Sequence, residues 1–151
     1  MPTSADSPDT LSVRLGYLLK HAQQRLAGLS AEALAPFGIN GRELAVLAVL
    51  AAGDPLSQLE AAERLGIDRT TMVALIDSLE TKGLVERLRS PHDRRKNIVT
   101  LTAAGQDCLQ RAEQARLETE QRFLAPLSRQ DADHLMRALQ VLVNAPPDTG
   151  A

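Results

Sequence analysis

Aromatic side chains are almost absent from this chain of 151 residues: Tyr17, Phe37 and Phe123 are the full set, and there is no tryptophan. A core must therefore be assembled from Leu, Val, Ile and Ala, which suits helix-on-helix packing better than a β-sandwich. The same scarcity argues against the stacked-base platforms that grip single-stranded RNA. Cysteine occurs once, at Cys108, so no internal disulfide and no cysteine-rich metal site can form, which fits a reducing compartment. Long apolar runs are missing too. The opening "MPTSADSPDT" is polar, reads as a disordered N-terminus over residues 1–10, and has no signal-like segment. No stretch approaches the length of a membrane span. The expectation is a soluble, cytoplasmic protein with no membrane partner.

What is present is an ordinary apolar fraction of 44%, enough for one packed domain or one domain with helical extensions. Net charge is −2, which by itself argues against general affinity for nucleic acid. Its distribution argues otherwise. Residues 64–96 hold eight cations against five carboxylates, a net +3, leaving −5 for the remainder. The densest positive charge is the run Arg94, Arg95 and Lys96 within "ERLRSPHDRRKNIVTLT". A solvated turn is the plain explanation; an anionic partner is the sharper one.

From Leu11, apolar residues at Leu15, Leu18, Leu19, Ala22, Leu26, Leu29 and Ala33 keep helical spacing, and Pro36 with Gly38 ends that helix. "GRELAVLAVLAA" is apolar on nearly every side and predicts a buried helix. In "PLSQLEAAERLGI", Ser57 and Glu60 form a capping box, and Gly66 stops a short helix. Asp68 then caps "RTTMVALIDSLETKG". Two short helices around a tight turn are the layout of a helix-turn-helix. In the second, Met72, Leu75, Ile76 and Leu79 supply the core stripe, while Asp68, Arg69, Thr70, Thr71, Val73 and Ala74 cluster near its start. Small, hydroxylated and guanidinium side chains there suit base edges and phosphates better than an ordinary Glu/Lys surface would.

"VERLR" and "NIVTL" read as a two-strand hairpin, with Val85 and Leu88 on one side and Ile98, Val99 and Leu101 on the other. The loop "SPHDRRK" is too long for a tight turn and should project. Thr102 caps a long helix whose stripe runs through Cys108, Ala112, Ala115, Thr119 and Phe123. Ser128 with Asp131 opens a last helix carrying Ala132, Leu135, Met136, Leu139 and Leu142, and residues 145–151 read as a disordered tail.

With that order of elements and the motifs Leu79-Glu80, Gly83-Leu84-Val85, Arg87, Asp93-Arg94-Arg95 and Leu101-Thr102-x-x-Gly105, the chain resembles the MarR family of winged helix-turn-helix transcriptional regulators over residues 11 to 144. It departs from the family pattern at Ser90, where an Asp commonly opens the wing motif. The resemblance implies a mainly α fold: a winged helix-turn-helix domain over 39–101 with a two-strand wing, and helical segments 11–35 and 102–144 forming a dimerisation region. It implies a homodimer on a pseudo-palindromic double-stranded DNA site, with recognition helices about 34 Å apart. The recognition helix would enter the major groove and Arg95 the minor groove, where a guanidinium sheds water readily. Asp93 would orient Arg95 through a carboxylate–guanidinium pair, Arg94 would lie beside phosphate, and His92 and Lys96 complete the wing. Arg87 either reaches phosphate or forms a structural salt bridge. Leu11 to Leu29 and Leu124 to Val143 are the dimer candidates, with an intramolecular bundle as the alternative.

The family also implies a repressor released by a small aromatic or phenolic effector; Tyr17 and His21, four residues apart on one helix, are candidates to line its cleft. No cofactor or metal is expected, since His21, His92 and His134 lack metal-site spacing. Thiol sensors of the family keep their cysteine in the first helix, so Cys108 reads as a small buried hydrophobe. Metal- or redox-responsive regulation, and a winged helix used for protein–protein contact, are the alternatives. Nothing suggests an enzyme: there is no nucleophile elbow, no phosphate-cradling loop and no HExxH.

Overall fold

A computed structural model describes residues 10–150. The expected disordered N-terminus lies outside them except for residue 10, as does residue 151 of the tail; residues 146–150 leave the last helix without regular structure. Helix α1 (Leu15–Leu34) runs into a 3-10 turn at Ala35–Phe37, and α2 (Gly41–Ala51) follows. A short strand β1 (Leu56–Ser57) leads into α3 (Gln58–Leu65) and α4 (Arg69–Thr81). Strands β2 (Val85–Arg89) and β3 (Asn97–Leu101) precede α5 (Ala103–Leu124) and α6 (Arg129–Val143).

The helix starts are fixed by side chains. Ser57 and Glu60 make the expected capping box, Asp68 accepts from the Thr71 N–H, Thr102 from Gly105 and Ser128 from Asp131. Each satisfies a backbone donor that helix geometry leaves orphaned. Between α3 and α4 the chain reverses at Gly66, whose φ of 63° is the left-handed conformation a side chain would resist.

The sheet is antiparallel in the order β1-β3-β2, so the hairpin carries a third strand. That strand is two residues long and too short to show alternation. Val85 pairs with Leu101 and Leu88 with Ile98 across β2 and β3. Val85 and Val99 face the core, while Leu88, of opposite parity to Val85, is exposed.

Val46 and Leu47 of α2, Met72, Ile76 and Leu79 of α4, and Val85 and Val99 of the sheet are fully buried. Cys108 and Ala112 of α5 close this core from one side and Leu34 of α1 from another. Helices α1 and α5 lie along each other, but α6 has no buried residue and packs only slightly against the rest of its own chain. Leu15, Leu18 and Leu19 of α1, Leu117 of α5, and Met136, Val141, Leu142 and Val143 of α6 are all exposed, Val143 to 81%. Among the described residues no single helix is long and apolar enough to cross a membrane.

Candidate nucleic-acid interface

Helix α4 buries Met72, Ile76 and Leu79 and turns Arg69, Thr70, Val73, Ala74 and Asp77 outward, where they line a shallow groove of about 470 Å³. The spacing of both sets follows from 3.6 residues per turn. The first turn is rigid: Asp68 Oδ1 accepts the Thr71 N–H at 2.9 Å and Oδ2 accepts the Thr71 hydroxyl at 3.1 Å. These bonds hold the Asp68 carboxyl below its ordinary range, the hydroxyl bond contributing most. Asp68 and Thr71 are thus engaged with each other, and Arg69, Thr70, Val73 and Ala74 present the open face.

The wing is braced from inside. Ser90 N–H donates to the Lys96 carbonyl and Lys96 N–H to that of Asp93. Ser90 Oγ accepts from both the His92 and Asp93 N–H groups at 3.3 Å, so its hydroxyl closes the turn as a short acceptor side chain can. The expected Asp93–Arg95 carboxylate–guanidinium pair is not formed. Asp93 Oδ1 instead accepts the Arg95 backbone N–H at 3.0 Å, because the tight turn brings the amide two residues on over the carboxylate. Among the described residues the guanidinium groups of Arg94 and Arg95 have no ion pair within 4 Å, and both residues are exposed along with His92 and Lys96. The Lys96 charge is near enough to Glu60 on α3 to stabilise that carboxylate, after the larger effect of Ser57.

Arg87 sits differently. From β2 it donates to Glu80 at 2.8 Å, to Asp77 at 2.5 Å and to Gln58 at 3.3 Å. Its side chain is 27% exposed. It fastens the wing strand to both helices of the helix-turn-helix, which is the salt-bridge alternative raised by its position.

One functional-looking group escaped the sequence reading. Glu43 on α2 is buried, and its carboxylate accepts Lys82 Nζ at 2.7 and 3.0 Å and Ser78 Oγ at 3.1 Å, while completing a capping box with Asn40. The pattern Asn40-x-x-Glu43 carried half of that signal.

Two cavities flank the crossing of α1 and α2, sharing Leu26, Ser30 and Gly41. One, about 210 Å³, reaches α5 at Arg116, Thr119 and Glu120; the other, about 750 Å³, reaches Arg42 and Ile67 beside the helix-turn-helix. Arg116 is held by Glu113 and Glu120, and that pairing raises its already high pKa. Tyr17 and His21 stack with ring centroids 4.0 Å apart, but neither lines these cavities. At 100° per residue they fall on nearly the opposite side of α1 from Leu26 and Ser30. Cys108 is buried, and desolvation pushes its thiol up. No cluster of three metal-ligating side chains occurs among the described residues.

A sequence model of the MarR family matches residues 37–96, from just before α2 through the helix-turn-helix, β2 and the wing loop. The solved structure of the transcriptional repressor CouR bound to a 23-mer DNA duplex is 37% identical, with a TM-score of 0.85 over 93% of this chain and 100% of that one. The chain belongs to the MarR family. Among curated relatives, a putative transcriptional regulatory protein for the hcr operon of Thauera aromatica is 36% identical over 106 residues, 70% of this chain and 64% of that protein. The multiple antibiotic resistance protein MarR of Escherichia coli K12 is 31% identical over 93 residues, 62% of this chain and 65% of that protein. The matches thus span slightly less than two thirds of these relatives' length. CouR bound to p-coumaroyl-CoA is 35% identical, with a TM-score of 0.82 over 91% of this chain and 97% of that one.

Proposed function

We propose that the protein is a homodimeric transcriptional repressor that binds double-stranded DNA and is released by a small aromatic effector. The observation that carries the reading is a braced hairpin whose tip exposes two guanidinium groups without ion-pair partners, Arg94 and Arg95, beside an open helix face of Arg69, Thr70, Val73 and Ala74. Unneutralised guanidinium at a projecting tip suits phosphate and the narrow minor groove, and the small residues of α4 suit base edges. Residues 39–101 are then the DNA-binding domain. Wing contacts supply mainly affinity and α4 mainly discrimination.

Residues 11–35 and 102–144 form the dimerisation region. The support is the exposed apolar surface of α1 and α6 together with the isolation of α6 in its own chain, a patch that a monomer rarely leaves uncovered. The effector site is assigned to the paired cavities at the α1–α2 crossing, whose apolar walls carry the hydroxyls of Ser30 and Thr119. CouR, the relative solved with an aromatic thioester, supports that ligand class. The relatives are named as regulators, and no catalytic role is assigned to this chain.

Selection from a pool of randomised duplexes tests the proposal. The expected product is a two-fold symmetric motif with half-sites about one helical turn apart, bound by two protomers. Failure to enrich any sequence would contradict it.

A further inference from the structure

Among the described residues two Asx/Ser–Glu capping boxes occur, and they differ in burial and in further partners. At the start of α3, Glu60 is exposed, and its carboxylate accepts from the Ser57 N–H. At the start of α2, Glu43 performs the same capping on Asn40 but is only 3% exposed and makes three further hydrogen bonds, all to α4 and its cap. Ser78 belongs to the last turns of that helix, and Lys82 is its C-terminal cap. A cap alone requires neither the burial nor the second oxygen.

Burying a carboxylate is costly, and an apolar pair of equal volume serves stability as well or better. What the ion pair adds is direction. The apolar stripe Met72, Ile76 and Leu79 sets which face of α4 meets the core, but apolar contact constrains the fine rotation and slide of the helix less sharply than directional bonds do. The Glu43 carboxylate has fixed bonding geometry and both of its oxygens are occupied. We infer that Glu43, acting through Ser78 and Lys82, is the positioning residue that sets the orientation of the DNA-reading helix, and so governs sequence discrimination rather than affinity or fold stability. The inference rests on the DNA-binding reading above.

The test uses the full chain, a duplex enriched by the wild-type protein from a randomised pool, and a random duplex of equal length. Two variants are compared, Glu43→Leu/Lys82→Met and Glu43→Gln/Lys82→Met; both leave net charge unchanged, and the second keeps an amide able to bond Asn40 and Ser78. Were Lys82 also bound to a phosphate, its removal would weaken both duplexes alike and leave their affinity ratio unchanged. In the leucine variant that ratio should fall about tenfold, while the lost bond to the Asn40 N–H lowers the thermal midpoint only as far as a capping change does. A smaller fall, about threefold, is expected in the glutamine variant, which decides alone if the leucine variant does not fold. A ratio unchanged in the folded variants, or one that falls only in step with thermal stability, would overturn the inference. Failure of the wild type to enrich any sequence would instead overturn the DNA-binding reading, and the inference with it.

Discussion

The carbonyl oxygen of Leu84 lies 1.9 Å from where a Cβ on Gly105 would sit. Only glycine lets the first turn of α5 come this close to the loop entering β2. The approach is locked by Thr102, whose N–H donates to Leu84 at 3.0 Å and whose hydroxyl donates to Gly83 at 2.6 Å while accepting from Gly105. The motif "LTAAG" is thus the clasp between the winged domain and the long helix. Gly105→Ala must move backbone, and should destabilise the protein by about 1–3 kcal/mol. Thermal denaturation checks this; an unchanged midpoint would contradict the geometry.

Variants at Arg87 and Arg94 test bracing separately from the proposed DNA contact. Arg87 is spent on Asp77, Glu80 and Gln58, so Arg87→Met should weaken DNA binding by loosening the wing while leaving the salt dependence unaltered. Arg94→Met should lower the slope of log affinity against log salt by about 0.9, the value for one phosphate contact. A slope change in the Arg87 variant would place its guanidinium on DNA after all.

Much of this architecture was legible because local signals agreed. The caps at Ser57, Asp68, Thr102 and Ser128, the stop at Gly66 and the stripe Met72-Ile76-Leu79 all stand as their spacing predicts. What stayed hidden was non-local. The Glu43–Lys82 pair joins residues 39 positions apart, and β1 exists only through its pairing with β3. Asp93 was legible as a partner of Arg95 but not as a partner of its backbone, because a turn's closure depends on dihedrals that composition does not report. Tyr17 and His21 do fall on one face of α1 as their spacing requires; which face meets the cavities depends on how α1 crosses α2.

The Asp68 cap carries a pH signature. Its folded carboxyl is held below the ordinary range by Thr71, so its contribution is complete above the unfolded pKa and is lost as pH falls through the folded one. Measured against the intrinsic rate at each pH, hydrogen exchange at Thr71 should therefore accelerate only once the pH falls below the ordinary aspartate range, and not in mild acid. In Asp68→Asn, which keeps an acceptor but cannot titrate, that acceleration should be absent; its persistence would assign the effect elsewhere.

Cys108 should be chemically quiet. Burial raises its thiol pKa, so the thiolate needed for attack is scarce at neutral pH. The raised folded value also means that its contribution to stability is present below the unfolded pKa and lost as pH rises through the folded one. Peroxide at neutral pH should leave DNA binding unchanged, and Cys108→Ala should match the wild type in that assay. Loss of binding in the wild type alone would make Cys108 a sensor.

The proposed grip of the wing on DNA through Arg95 is open to fluorescence anisotropy on duplexes from the protein's own upstream region and on the enriched motif. Measured at two salt concentrations, the wild type should bind tightly with strong salt sensitivity, and Arg95→Ala should weaken binding by about tenfold or more. Equal binding by both proteins would remove the wing from the interface, and no binding by either would contradict the DNA-binding account itself.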